Sequence, residues 1–205
     1  MKKPNNTYHH GDLRASLLRE AAALLRDSGI DGLSLRRLSE RVGVSRTALY
    51  HHFSDKHALL CALAADGFAQ LDALMQPLSP ASNAPPAERY TAFAKQYLDY
   101  ATKNPSLYGL MFGHTLWRDK LADDSLKQIA YESFRHHLAA VKRWQEAGIL
   151  PKEQDSLRLT QVTWGTLHGL AQLVIDGVYA DSTHLEDICQ CVGQLFCGMR
   201  TAKPQ

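Results

Sequence analysis

The chain has few cysteines, and their spacing does not suit a metal. Cys61, Cys189, Cys191 and Cys197 form no Cys-x-x-Cys pair. Cys189 and Cys191 are two residues apart, which on a helix turns their side chains about 200° from each other. Zinc ligation is not expected, and the thiols read as small buried or half-buried groups. Long apolar runs are also missing. No stretch approaches the roughly 20 apolar residues of a membrane span, and Met1-Lys2-Lys3 leads into polar residues rather than a signal-peptide core. The expectation is a cytoplasmic protein that makes no membrane contact. Catalytic signatures are lacking: no Gly-x-Ser-x-Gly, no His-Glu-x-x-His, no phosphate-binding glycine loop and no Cys–His motif of known spacing. His51-His52 and His136-His137 are adjacent pairs, which diverge on a helix and share a metal poorly. Neither enzyme activity, a cofactor nor a metal is expected. No alternating strand pattern and no internal repeat is visible.

What the sequence does contain is helix, with a bias in its charge. The 205 residues are 45% apolar, enough for a packed core. The net charge is only +2, but residues 1–57 hold ten Lys/Arg against six Asp/Glu and the remainder thirteen against fifteen. A basic small module on a mildly acidic body points to a polyanion for the first part. Leu13, Leu17, Ala21, Leu24 and Leu25 form a helical stripe that ends at Ser28-Gly29. Ser34 can cap a second helix with Leu35, Leu38 and Val42 inward, and Gly43 ends it. Ser45 can cap a short third helix, and Ser54 or Asp55 a fourth running to about Met75. "PLSPASNAPP", Pro77 to Pro86, is a break. Later helices are expected over 87–102, 106–117, 122–147, 155–178 and 184–200.

The two short helices around Gly43-Val44 make a helix-turn-helix candidate. On a wheel, Ala48, Leu49 and Phe53 share one side of the second, while Arg46, Thr47, Tyr50 and His51 share the other. That outward row carries donors and flat rings. Arg can fork onto guanine, Thr offers a hydroxyl or a methyl, and Tyr reaches phosphate oxygens. Ser45 adds a hydroxyl at the helix start, where the dipole favours phosphate. Lys56 falls in the first turn of the fourth helix; a cation is unfavourable there, which suggests that an outside anion holds it. The wheel turns His52 toward the buried flank. The arm "MKKPNNTYHHGD" either stays disordered or reaches a neighbouring minor groove with Lys2 or Lys3.

The segment "TALYHHFSDKHALL", preceded by "LSLRRLSERVGVS", resembles the N-terminal domain of the TetR family of transcriptional regulators over roughly residues 10–60. The resemblance implies an all-α chain: an N-terminal three-helix helix-turn-helix DNA-binding domain and a larger helical ligand-binding and dimerisation domain. By matching positions it implies Ser45, Arg46 and Thr47 at the DNA and Tyr50, His52 and Lys56 on phosphates. Many relatives carry Gly where this chain has Thr47. The functional boundary is placed at residue 57, giving 1–57 and 58–205, although the fourth helix bridges both parts.

In the second part, "VTWGTLHGLAQLV" puts Trp164 and His168 on one helix face and Gly165 and Gly169 on the adjacent one. Glycine in a helix costs about 1 kcal/mol relative to alanine, so two at this spacing suggest the close approach of another backbone or a ligand. This stretch is similar to the TetR C-terminal domain type marked by a Trp and a His-Gly pair. His168 is either a core histidine with one hydrogen bond or a polar handle in an apolar pocket. The candidate ligand-binding residues are Met111, His114, Trp117, Phe134, Trp164 and His168. Tyr97, Tyr108 and Phe112 are further possible walls, and His137 is a second possible polar partner. The lack of a clear buried Lys or Arg favours an apolar or neutral ligand. Leu185, Ile188, Val192, Leu195, Phe196 and Met199 form a heptad-like seam on the last helix. It serves either its own subunit or a helical-bundle homodimer through the last two helices. Dimerisation has a purpose, because two heads read a near-palindrome. The expected partners are thus a double-stranded DNA operator, a small-molecule effector and a second copy of the chain. A helical adaptor that binds only protein is the contrasting reading.

Overall fold

A computed structural model of the chain describes residues 10–74, 84–118, 122–179 and 184–198. The N-terminal arm with Lys2 and Lys3, most of the Pro-rich break, and Met199 lie outside them. Among the described residues ten helices follow one another: α1 (His10–Gly32), α2 (Leu35–Val42), α3 (Arg46–Tyr50), α4 (Lys56–Leu74), α5 (Pro86–Lys103), α6 (Pro105–Phe112), α7 (His114–Trp117), α8 (Asp124–Glu146), α9 (Ser156–Ile175) and α10 (Leu185–Gly198). Among the described residues there is no strand, and no helix is long and apolar enough to cross a membrane. The helices form two compact units, Met1–Gly67 with Ser106–Lys127, and Phe68–Pro105 with Gln128–Gln205. α4 contributes residues to both.

In the first unit the polar punctuation works as the residue types predict. The Ser34 side chain accepts from the Arg37 amide at 3.2 Å and opens α2. Gly43, at φ 74°, closes it, and its amide and that of Val44 both donate to the Ser39 carbonyl at 3.0 and 3.1 Å. A side chain would resist that left-handed turn. Ser45 then caps α3, accepting from the Ala48 amide at 3.1 Å. Of the two candidates for the start of α4, Asp55 makes the bond, accepting from the Ala58 amide at 2.7 Å. That bond holds its carboxyl below the usual range.

The stripe on α1 is the core: Leu17, Ala21, Leu24 and Leu25 are buried with Leu33, Leu38, Leu49, Phe53 and Leu59. Burying one such side chain fully is worth about 1.5–3 kcal/mol, which is how a five-residue α3 can persist at all. α1 does not stop at Ser28-Gly29. Gly29 swings out at φ 66°, ψ −173°, and a further turn continues to Gly32. The single helix expected over 106–117 is broken at Gly113, whose extended backbone separates α6 from α7. Met111 is buried against Gly67 of α4, where a Cβ would lie 2.6 Å from its sulfur.

The second unit is built on α5. Tyr90, Phe93, Ala94, Tyr97, Leu98 and Ala101 give it a buried face. α10 lies along it because Gly193 has no Cβ: one there would collide with the Thr91 hydroxyl and sit 2.5 Å from the Ala87 carbonyl. The rings interlock edge to face, Tyr90 with Phe93, Trp144 and Phe196 at 5.7 Å each. Buried Gln145 fixes the α8–α9 connection by donating to the carbonyls of Pro151 and Gln154 at 2.7 and 2.9 Å and accepting from Ser156 at 2.6 Å. The close approach expected at Gly165 and Gly169 is not found among the described residues, none of which lies within 4 Å of a Cβ at either apart from the helix's own backbone.

Candidate nucleic-acid interface and effector site

The outward row on α3 is where the wheel puts it. Leu49 and Phe53 are buried behind the helix, and Ala48 is half-buried. Ser45, Arg46, Thr47, Tyr50 and His51 are exposed in front, Tyr50 at 54%. Hydrogen bonding sorts the neighbouring arginines. Arg36 pairs with Glu40 at 2.9 Å, and Arg41 with Glu20 at 2.7 Å and Asp27 at 3.5 Å. Arg37 donates to the Ser28 hydroxyl and the Gly32 carbonyl at 3.0 and 3.2 Å. The bonds of Arg41 and Arg37 tie α2 to α1. Arg46 makes no such bond among the described residues, so its fork stays available beside Thr47 and Tyr50.

Lys56 corrects one expectation. Its ammonium donates to the Ile30 carbonyl at 2.6 Å. The cation at the start of α4 therefore has a partner inside the molecule and does not require an external anion to hold it. An ammonium carries three donors, and half-buried Lys56 can still offer the others outward. His52 is half-buried, its ring 6.4 Å from that of Phe53, as its flank position implies. The Arg14 guanidinium lies 5.6 Å from the centre of the Phe53 ring and supports the same wall from α1.

The six candidate ligand residues fall into separate groups. In the first unit, Met111 is buried, half-buried Trp117 donates its indole N–H to the Met111 carbonyl at 2.6 Å, and His114 is exposed. In the second, Phe134 and Trp164 stack at 5.4 Å and 25°. The Trp164 indole donates to the Tyr97 hydroxyl at 3.0 Å. His168, one turn along α9, is half-buried, and burial lowers its pKa. The adjacent histidines of α8 diverge. Exposed His136 meets Asp72 at 2.7 Å, while His137 is 1% exposed among Phe93, Trp144 and Trp164. His137 is the more deeply placed imidazole. The sequence signal for it is its offset from Phe134 and Trp144, three and seven residues along one helix face. Among the described residues no group of three or more His, Cys, Asp or Glu is placed to hold a metal.

Two family models match the chain. "Bacterial regulatory proteins, tetR family" covers residues 17–63, and "Tetracyclin repressor-like, C-terminal domain" covers 90–192. Among curated proteins, the class C tetracycline repressor of Escherichia coli is 55% identical over 51 residues, 25% of this chain and 23% of that protein. The HTH-type transcriptional repressor AcnR of Corynebacterium diphtheriae is 43% identical over 58 residues, 28% and 30% of the two chains. The chain thus spans about a quarter of the length of the curated relatives it matches. Solved structures align more completely. A protein of unknown function from Rhodococcus sp. RHA1 has a TM-score of 0.78 and 30% identity, covering 95% of this chain and 98% of that one. The TetR family regulator PfmR of Thermus thermophilus shares the fold, with a TM-score of 0.61, 20% identity and coverage of 87% and 95%.

Proposed function

Because the chain belongs to the TetR family of bacterial regulators, we propose that it is a homodimeric, sequence-specific transcriptional repressor that a small, mostly apolar effector releases from its operator. In this reading residues 1–57 read DNA, and residues 58–205 bind the effector and dimerise. The observation that carries it is the exposed row Arg46, Thr47, Tyr50 on a helix braced from behind by Leu49 and Phe53, with Arg46, unlike the arginines of α2, making no hydrogen bond or ion pair among the described residues. Arg46 and Thr47 face base edges in the major groove. Ser45, Tyr50, His52 and Lys56 position the head on phosphates.

A five-residue helix reaches only a few base pairs, so a second head supplies the remaining specificity. The seam on α10 is divided between two uses. Val192 and Phe196 are buried within their own chain, whereas Leu195 is 57% exposed. On α9, Val162 is 55% exposed and the Gly165–Gly169 notch is open. These outer faces of α9 and α10 suit a second copy. The effector acts from the helical body by favouring a state in which the heads are wrongly spaced; a differential of several kcal/mol between states switches occupancy. The names of the curated relatives support repression as the sign of the effect.

The test is a gel-shift titration on an operator selected from random DNA. Tyr50→Ala and Lys56→Ala are each expected to weaken binding about tenfold or more. Unchanged affinity in both would refute the assignment of this face.

A further inference from the structure

The imidazole of His137 in the second unit is a buried polar group that the fold leaves unmet. His137 is 1% exposed, and neither of its ring nitrogens has a hydrogen-bond partner among the described residues. Its neighbours are rings: Trp164 at 5.8 Å, Phe93 at 6.0 Å and Trp144 at 6.4 Å between centres. Protein interiors rarely leave a buried donor or acceptor unmet, and an apolar side chain of similar shape fills the same space without that penalty. Folding gains nothing from an imidazole here.

The surroundings define what could meet it. Burial pulls the His137 pKa down to about 4, so the ring is neutral near pH 7 and presents one N–H and one lone pair. Among the described residues no Lys, Arg, Asp or Glu is buried, so a charged guest would find no buried counter-charge. A hydroxyl both donates and accepts and therefore satisfies either nitrogen. Phe93 and Trp144 are buried, whereas Phe134 and Trp164 are half-buried, so the stacked pair forms the outer wall. The Tyr97 hydroxyl holds the Trp164 indole at 3.0 Å. Phe134 carries no polar group, so no hydrogen bond holds its ring against Trp164.

We infer that His137 is the hydrogen-bonding anchor of the effector site, and that its ligand is an uncharged, flat aromatic molecule bearing a hydroxyl, received beside Trp164 and Phe134. This rests on the effector-release reading above and adds to it the ligand class and the residue that selects it.

The test uses the full chain without DNA and two probes of one shape, 2-naphthol and naphthalene, measured by equilibrium dialysis. The wild type is expected to bind 2-naphthol at least fivefold more tightly. His137→Phe is expected to bring the two within about twofold and to melt no lower than the wild type. Equal affinities in the wild type, no binding of either probe, or a preference retained by the variant would each overturn the inference. If the phenylalanine variant does not fold, His137→Leu replaces it; if both melt well below the wild type, the imidazole is structural and the inference fails. Operator occupancy is measured separately. Discrimination of the probes without any loss of occupancy rejects the release reading and retains the site. Release by other compounds without discrimination does the reverse.

Discussion

Alanine at Gly193 tests how α5 and α10 are held together. The added Cβ would collide with the Thr91 hydroxyl, sit 2.5 Å from the Ala87 carbonyl oxygen and lie 3.2 Å from the Thr91 amide. The threonine side chain can rotate away, but the Ala87 carbonyl belongs to the backbone of α5 and cannot. Restoring an ordinary contact requires the helices to part by about 1 Å, a gap that forfeits a quarter to a half of the attraction across it. The seam so loosened includes the Tyr90–Phe196 ring contact at 5.7 Å and buried Cys189 and Val192. Overpacking of this kind costs about 1–3 kcal/mol, and the better helix propensity of alanine returns about 1 kcal/mol. A collision with fixed backbone belongs to the upper half of that range, about 2–3 kcal/mol, which leaves a net loss of roughly 1–2 kcal/mol. For a chain of this size that corresponds to a melting point lower by about 3–6 °C, measured by circular dichroism or calorimetry. A variant that melts at or above the wild type would show that the missing Cβ does not set the spacing of these helices.

Gly165→Ala meets nothing within 4 Å among the described residues, so it is expected to stabilise the isolated protomer by about 1 kcal/mol. In the proposed dimer it is also expected to weaken self-association in sedimentation; unchanged association would move the interface elsewhere. Tyr50→Phe removes only a hydroxyl from an exposed ring, so operator affinity should drop by about two- to tenfold with no change in melting point. Raising salt from 50 to 200 mM should weaken operator binding by roughly a thousandfold if about six phosphates are neutralised; a flat response would favour the protein-only adaptor. His137 gives a pH dependence of stability. Its pKa is about 4 folded against 6.5 for the free group, so the unfolded chain binds more protons between these values. The contribution is present above pH 6.5 and is lost as pH falls toward 4, by about 3 kcal/mol in total. Melting points of the wild type and His137→Phe at pH 7.5 and 4.5 measure it, and parallel losses in the two would exclude this imidazole as the cause.

The reading head is legible in sequence because its determinants are local. Ser34, Gly43 and Ser45 fix the helix ends through bonds that span three to five residues, and Leu49 and Phe53 fix which side faces in. What the sequence conceals depends on contacts distant along the chain. The bond from Lys56 to Ile30 joins residues 26 apart, and no wheel reveals it. Gly193 of α10, unlike the Gly165–Gly169 pair, is approached closely, and the approaching residues belong to α5, about a hundred positions earlier. The same holds for the candidate pocket residues. Periodicity marks Phe134, Trp164 and His168 as inward or flanking, but only the fold shows that Trp164 is hydrogen-bonded to Tyr97 while His137 lacks a partner among the described residues.

The contact between Lys56 and the carbonyl just beyond Gly29 has a kinetic side. A free lysine arm samples many rotamers, and stilling it costs up to about 2 kcal/mol. Here that stilling happens at folding, since the ammonium is already docked when the molecule meets its partner. In the proposed DNA-bound state this cation arrives pre-aimed, so it subtracts little from association entropy and slows the encounter little. At φ 66°, ψ −173° Gly29 holds a backbone conformation open essentially to glycine alone, so any side chain at position 29, asparagine included, is expected to disturb that readiness.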